Sequence, residues 1–490
     1  MNILLVSPRT PDTFWSFRHA LPFVSKRSTL PPLGLLTVAG LLPRDWNLRL
    51  VDLDVRGLRD ADILWADWVF LTAMIVQEGS ARVIATRCAA LGRPVIAGGP
   101  LFTTGHERFP EIPHFVLGEA EELMPDLLAD LRRASVRPLY RAARFPDLAL
   151  TPSPRWDLIR MQDYATMSVQ FSRGCPYNCE FCDIIIMNGR VPRLKEPAAL
   201  IAEFEALRAE GWRGAVFIVD DNFIGDRRRA KGLLREIIAW RRRARPPFTF
   251  LTEASMNLAD DPELLSLMVD AGFKKVFLGI ETPEADSLSE CRKTQNTGRD
   301  LYAAVRVIQN AGIEVMGGFI IGFDSDKPDI FERQFEFIQK AGVVTAMVGL
   351  LTALPKTRLY QRLVGERRLI RESAGDNTCA SLNFVPKLDR DFLLDGYRRL
   401  MQRLYEPRAY YRRITAFLQQ YKPRGPRVHL SRRDIEALLK SLWVMGIVHR
   451  GRRAYWCFLA STLVRRPAHF GLAVTLAIYG HHFRAVAKGL

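Results

Sequence analysis

The sequence predicts an α/β protein of three parts: an N-terminal Rossmann-like doubly wound domain, a central partial (β/α)6 barrel and a C-terminal, mainly helical domain. Three observations carry that reading. Short apolar runs alternate with helical stretches over residues 1–135, the pattern of a parallel sheet covered on both faces. Six more strand–helix repeats fill residues 164–370, enough for a parallel barrel left open on one side. Over residues 371–490 the strand signals stop and helical segments take over.

The elements follow in order. Ile3–Val6 is the first strand, and the stretch from Pro31 to Leu42 opens on proline and continues as a buried helix. Leu48–Val51, Val69–Leu71, Val95–Ala97 and Phe115–Leu117 are the further strands of the first part. Ligands of doubly wound sheets sit beyond the carboxyl ends of the strands. Those ends carry Ser7, Asp52-Leu-Asp54, Thr72, the Gly98-Gly99-Pro100 turn and Gly118-Glu119-Ala-Glu121. Glycine lets a backbone approach a ligand closely, and a tight turn with no ligand is the alternative. Phe14-Trp-Ser-Phe17, His19, Lys26 and Gln77 form a further cluster, whose aromatics either cover a flat or apolar ligand or pack under a loop.

Pro138, Pro146, Pro152 and Pro154 mark residues 136–163 as a linker. Barrel strands are expected at Met167–Phe171, Ala215–Val219, Phe248–Leu251, Lys275–Gly279, Glu314–Ile321 and Thr345–Leu350, with helices such as Pro197–Ala209, Asp261–Ala271 and Lys327–Ala341 between them. In the last part Tyr397, Tyr405, Tyr410 and Tyr411 recur in helical segments. The stretches 455–466 and 470–483 mix an apolar face with Arg and His. That suits a helix on a membrane surface, a lid over an apolar substrate, or a small helical domain packed on the barrel. Cys379 and Cys457 are expected as inert core thiols.

The chemistry concentrates after the first barrel strand, in Phe171-Ser-Arg-Gly-Cys-Pro-Tyr-Asn-Cys-Glu-Phe-Cys182. Cys175, Cys179 and Cys182 stand in a C-x3-C-x2-C pattern. Three thiolates this close can wrap one soft metal centre, and they leave one iron of a 4Fe–4S cube without a protein ligand. A structural zinc site is the alternative, but it wants a fourth Cys or His, and the next are Cys291 and His429. Carboxylates and amides recur at the other barrel strand ends: Asp220, Asp221 and Asn222, then Glu253, then Glu281. Each alone reads as a helix cap or surface ion pair; several on successive strand ends of one barrel point to a site.

Composition bounds the rest. Seven cysteines in 490 residues do not make a disulfide framework, which fits a reducing cytoplasmic setting. The first residues read as a strand and not as a signal peptide, and no apolar run approaches the roughly 20 residues of a membrane span. The net charge of +17 suggests an anionic partner or an Arg-rich solvated surface. No Arg cluster carries interleaved aromatics on a nucleic-acid module, so nucleic acid is not expected.

The C-x3-C-x2-C loop, with Phe181 before its last cysteine, resembles the signature of the radical S-adenosylmethionine superfamily. The resemblance implies that the open iron binds S-adenosylmethionine and that an electron from the cluster releases a 5′-deoxyadenosyl radical. Gly279-Ile-Glu-Thr-Pro283 resembles the superfamily's ribose-contacting position, here Glu281. Gly318-Phe-Ile-Ile-Gly322-Phe-Asp324 resembles its G-x-I-x-G-x-x-E pattern, with Ser325 where Glu is usual. Leu354-Pro355-Lys-Thr357 resembles the turn that closes the barrel in one subgroup. The usual Gly-Gly-Glu-like motif is missing, and Asp220–Asn222 is its substitute for holding the methionyl amine. A Rossmann-like domain ahead of such a barrel resembles the cobalamin-binding subgroup, whose layout with a C-terminal helical extension is that of hopanoid C-2 methylase-type enzymes. This implies cobalamin against Ser7, Thr72, Gly98, Gly99 and Glu119. It departs from D-x-H-x-x-G, since none of His19, His106 and His114 matches that motif.

The expected activity is cobalamin-dependent radical methyl transfer to an unactivated carbon of an apolar or lipid-like small molecule. An electron donor such as flavodoxin or ferredoxin and contact with a membrane periphery are the expected partners. Radical cyclisation, ring rearrangement or oxidation without methyl transfer is the second reading. A non-catalytic iron–sulfur protein binding nucleic acid or membrane is the third.

Overall fold

A computed structural model of the chain describes residues 1–376, 378–424 and 432–490, so His429 lies outside the described residues. The first sheet holds β1 (Asn2–Ser7), β2 (Asn47–Asp52), β3 (Trp68–Thr72), β4 (Val95–Gly98), β5 (His114–Leu117) and β6 (Leu139–Arg141). All neighbours are parallel, in the order β2-β1-β3-β4-β5-β6. Ile3, Leu4, Leu5 and Val6 are all fully buried, as a central strand covered on both faces requires. The chain reverses direction across the sheet between β1 and β3, so the crevice beyond their carboxyl ends is the switch point of a doubly wound sheet. The 136–163 linker is corrected at its start. Leu139–Arg141 joins the sheet as β6, with only Tyr140 buried. One inward side chain among prolines is too short an alternation to read as a strand.

The second sheet follows β7 (Met167–Val169) and a two-residue antiparallel ribbon, β8 (Ser172–Arg173) with β9 (Arg193–Leu194). It continues with β10 (Ala215–Ile218), β11 (Thr249–Ala254), β12 (Phe273–Glu281), β13 (Glu314–Ile321) and β14 (Ala346–Leu350). Six strands run parallel in the order β14-β13-β12-β11-β10-β7. All six expected barrel strands are present with shifted ends. The first stops at Val169 because the next residues turn to bond with Asp220. Along β11, Phe250, Thr252 and Ala254 are buried while Thr249, Leu251 and Glu253 are half-buried. Phe250 packs against Phe204 on the helix Pro197–Ala209, so the buried positions face the helices and the half-buried ones face the lumen. A lumen less buried than the outer layer is a cavity, not a filled core.

The C-terminal helices Arg390–Leu404 and Pro407–Gln420 cover the β14 side of the barrel. Tyr397 OH donates to Val348 O at 3.1 Å and Tyr405 OH to Ala346 O at 2.5 Å. The buried Arg413 guanidinium donates to Val344 O at 3.3 Å. Three side chains thus satisfy alternate carbonyls along β14, the edge strand, and the residues leading into it. The recurring tyrosines are therefore core latches. Phe14 stacks on Phe483 at 4.1 Å, and Trp15 donates to Met347 Sδ and packs on Phe277. The Phe14–Phe17 cluster packs against the barrel and the last helix. That last helix, Phe470–Lys488, buries Ala473, Leu476, Ala477 and Phe483, so it is core and not a surface helix. Cys457 is corrected too: it is exposed on the helix Arg452–Arg465.

Candidate active site

The loop from Gly174 to Cys182 leaves β8 and is closed at its base by β9. Gly174 has φ +97°, and a Cβ there would lie 2.9 Å from the carbonyl oxygens of Asn188 and Gly189, so glycine alone permits that approach. All three cysteines are free. Cys175 Sγ accepts from Asn222 Nδ2 at 3.9 Å and Cys179 Sγ from Gln295 Nε2 at 3.8 Å. Burial pushes the Cys175 and Cys182 thiols up, while the nearby Lys293 ammonium favours their thiolates. Among the described residues no three Cys, His, Asp or Glu side chains converge to hold one metal ion. The three loop thiols, with amide donors and a cation beside them, fit an anionic iron–sulfur cluster, a body larger than a single metal ion.

The Asp220–Asn222 stretch, at the end of β10, anchors this loop. Asp220 accepts from Phe171 N at 2.8 Å and Ser172 Oγ at 2.7 Å, and burial pushes its carboxyl up to about 7. Asp221 accepts from Gly174 N at 3.0 Å and Asn188 Nδ2 at 2.9 Å. Both carboxylates are engaged behind the loop, where they anchor its backbone. Asn222 faces Cys175, and its Oδ1 is buried without a partner, as are Gln295 Oε1 and Asn296 Oδ1. Buried orphan acceptors of this kind suit a bound donor such as an ammonium.

Glu253 projects from β11 into the lumen, and burial, with Asp221 and Asp220 adding to it, pushes its carboxyl up to about 8. Glu281 ends β12 with a left-handed φ of 65° and pairs with Lys293 Nζ at 2.6 Å. A non-glycine residue held there is strain characteristic of a site. Gly318 is covered: a Cβ would lie 2.7 Å from Phe277 Cζ, so this glycine makes room for that ring. Gly322, at φ +105°, donates its N–H to Asp326 at 2.8 Å, and Phe323 N donates to the same oxygen at 3.1 Å. The acid displaced from position 325 thus returns at 326, where its carboxylate pins the end of β13.

In the first sheet, Thr72 and Gly99 touch: a Cβ on Gly99 (φ +94°) would lie 2.5 Å from Thr72 Oγ1. Gly98, Gly99 and Thr72 are half-buried at the carboxyl ends and Met74 beside them is 60 % exposed, a shelf open to a flat ligand. Ser7 is buried beneath it. The Glu119 carboxylate pairs with Arg173 and Arg193, and Glu121 pairs with Arg173 at 2.8 Å. It is a strut from the first sheet to the cluster loop. His114 lies at the amino end of β5, opposite the shelf, and His19 lies against His482, so neither reaches it. The residues missed by sequence reasoning are Lys293, Gln295 and Asn296. Their signal was faint, a polar Lys-Thr-Gln-Asn run twelve residues beyond Glu281.

The radical SAM superfamily matches residues 169–338, and a domain of unknown function (DUF4070) matches residues 357–490. An uncharacterized methyltransferase of Synechocystis is 40 % identical over 99 % of this chain and 91 % of its own length. Hopanoid C-2 methylase of Rhodopseudomonas palustris is 34 % identical over 99 % of this chain and 94 % of its own. The chain belongs to the radical S-adenosylmethionine superfamily. Within it, this radical S-adenosylmethionine enzyme falls in the methyltransferase family of those full-length relatives. Its fold is shared with the cobalamin-dependent S-adenosylmethionine radical enzyme OxsB, at TM-score 0.65 and 15 % identity over 100 % of this chain and 81 % of that one. The radical S-adenosylmethionine methyltransferase TsrM of Kitasatospora setae matches at TM-score 0.61 and 16 % identity, over 94 % and 99 %.

Proposed function

We propose that the protein methylates an unactivated carbon of an apolar, lipid-like small molecule, using a 4Fe–4S cluster, S-adenosylmethionine and cobalamin. The observation that carries this reading is the strut from Glu119 to Arg173, two residues before Cys175, which ties the glycine shelf of the first sheet to the cluster loop at the mouth of an open barrel. In this reading residues 1–135 bind cobalamin, 136–163 connect, 164–370 form the radical barrel and 371–490 cover it. Bound together, the cofactors supply a hydrogen-abstracting 5′-deoxyadenosyl radical and a transferable methyl group. Cys175, Cys179 and Cys182 hold the cluster. Asn222, Glu253, Glu281, Lys293 and Gln295 orient S-adenosylmethionine, while Ser7, Thr72, Gly98 and Gly99 seat cobalamin. The lumen wall of Leu251, Phe277 and Ile320 excludes water from a greasy substrate. A flavodoxin- or ferredoxin-type protein supplies electrons, and contact with a membrane periphery belongs to the same reading.

The test is anaerobic reconstitution with iron, sulfide and cobalamin, followed by reductant, S-adenosylmethionine and a lipid extract. Retained cobalamin, 5′-deoxyadenosine and a product heavier by one methyl group support the proposal. A product of unchanged carbon count, with 5′-deoxyadenosine formed, overturns methyl transfer in favour of cyclisation or oxidation. Iron that stays bound in the triple Cys→Ala variant at 175, 179 and 182 overturns the site itself.

A further inference from the structure

The helical region turns one apolar face outward. Ile435, Leu439, Trp443 and Ile447 succeed one another at four-residue intervals along the helix Arg432–Trp443 and the π-turn Val444–Val448, and are 58, 60, 62 and 53 % exposed. The wider winding of the π-turn keeps Ile447 in line with the stripe. Trp456, on the helix Arg452–Arg465, donates Nε1 to Gly446 O at 2.9 Å and so extends the same face. Farther along that helix Val464 is 82 % exposed. Among the described residues, eight of the twenty large apolar side chains that stay exposed fall between Ile435 and Val464. Clustering of this kind marks a contact surface, whereas single exposed residues do not.

Charge identifies what the face meets. From Arg432 to Leu490 the sequence has ten Lys and Arg residues against two acids, Asp434 and Glu436 at the start of the first helix. Arg450, Arg452, Arg453 and Arg465 are exposed on the same two helices and the turn between them. A second copy of this chain would set one basic face against another across a twofold axis, which repels. An anionic surface offers the opposite sign. Two exposed tryptophans within an apolar stripe bordered by arginines match the interface of a bilayer, with apolar side chains among the acyl chains and guanidinium groups among the phosphates. No helix among the described residues is long and apolar enough to cross a membrane, so the contact is lateral.

We infer that the face formed by Ile435, Leu439, Trp443, Ile447 and Trp456 docks on the surface of an anionic phospholipid bilayer. The inference rests on the helical region alone, and its failure would leave the proposed methyl transfer standing.

The test is co-sedimentation of the full-length, cluster-loaded protein with phosphatidylcholine vesicles, with and without an equal part of phosphatidylglycerol. The protein is expected to bind the anionic vesicles, with an affinity that falls as salt is raised. The Trp443→Ser/Ile447→Ser variant should bind about tenfold more weakly while keeping its iron content and circular dichroism. Arg452→Gln/Arg453→Gln should lose most of the preference for anionic lipid. Equal binding by wild type and both variants, or no binding to either vesicle, overturns the inference. So does a wild-type dimer in sedimentation equilibrium that Trp443→Ser/Ile447→Ser converts to monomer without vesicle binding, since a second copy would then cover the face.

Discussion

Gln295 and Asn222 each aim an amide N–H at a cysteine sulfur, the one on Cys179 and the other on Cys175. Donors to cluster sulfurs stabilise the more negative, reduced state. A net hydrogen-bond worth of about 0.5–1.5 kcal/mol on a one-electron couple corresponds to roughly 20–60 mV. Gln295→Leu should therefore lower the cluster's midpoint potential by about that much, read by an electron paramagnetic resonance redox titration; an unchanged potential would remove Gln295 from the cluster's surroundings. A second residue-scale prediction concerns Asp52, whose carboxyl burial pushes up to about 6 from its usual 3.8, with Tyr164 OH donating to it at 3.0 Å. A carboxyl raised on folding binds a proton more tightly in the folded state. Its stabilising contribution is complete below pH 4 and is lost as pH rises through about 6. Asp52→Asn should flatten the fall in urea midpoint across that window. The cysteines were readable because three identical ligands in eight residues have one common use. Lys293 and Gln295 were not, because their role depends on a loop returning to the cluster from 110 and more residues away, which no local spacing records.

The barrel strands were readable where each buried outer face spans several residues, as in β13. Their ends were not, since a strand stops where a side chain elsewhere captures its backbone, as Asp220 captures Phe171 N. The same limit applied to the tyrosines at 397 and 405, whose helical spacing says that they are inward but not that they bond to β14. Removing a hydroxyl there leaves a buried carbonyl unpaired. Tyr397→Phe and Tyr405→Phe should each cost about 1–3 kcal/mol in urea unfolding. The two losses should not be simply additive, because both sites lie on one strand two residues apart. Losses within experimental error would mean that the edge carbonyls find other partners.

Across the whole molecule, the first sheet is joined to the cluster loop through Glu119, Arg173 and Arg193, all largely buried. Removing the shared carboxylate leaves the Arg193 guanidinium without its ion-pair partner and Arg173 with Glu121 alone, and Glu119→Ala should destabilise by about 3–5 kcal/mol. It should also raise the rate of cluster loss to a chelator, whereas wild-type retention would uncouple the strut from the loop. Another long-range contact has a consequence for how the molecule is made. Phe14 stacks on Phe483, and Trp15 lies against barrel strands completed hundreds of residues later. At about 5–20 residues per second, a ribosome needs roughly half a minute to a minute and a half between synthesising the two stacked rings. Throughout that interval the aromatic segment at the front of the chain waits in water for a helix that does not yet exist. Slower initiation at low temperature, or a chaperone that shields residues 14–23, should raise the soluble yield of the intact chain. Neither should rescue a chain stopped before residue 470, because the surface that Phe14 waits for would never be synthesised.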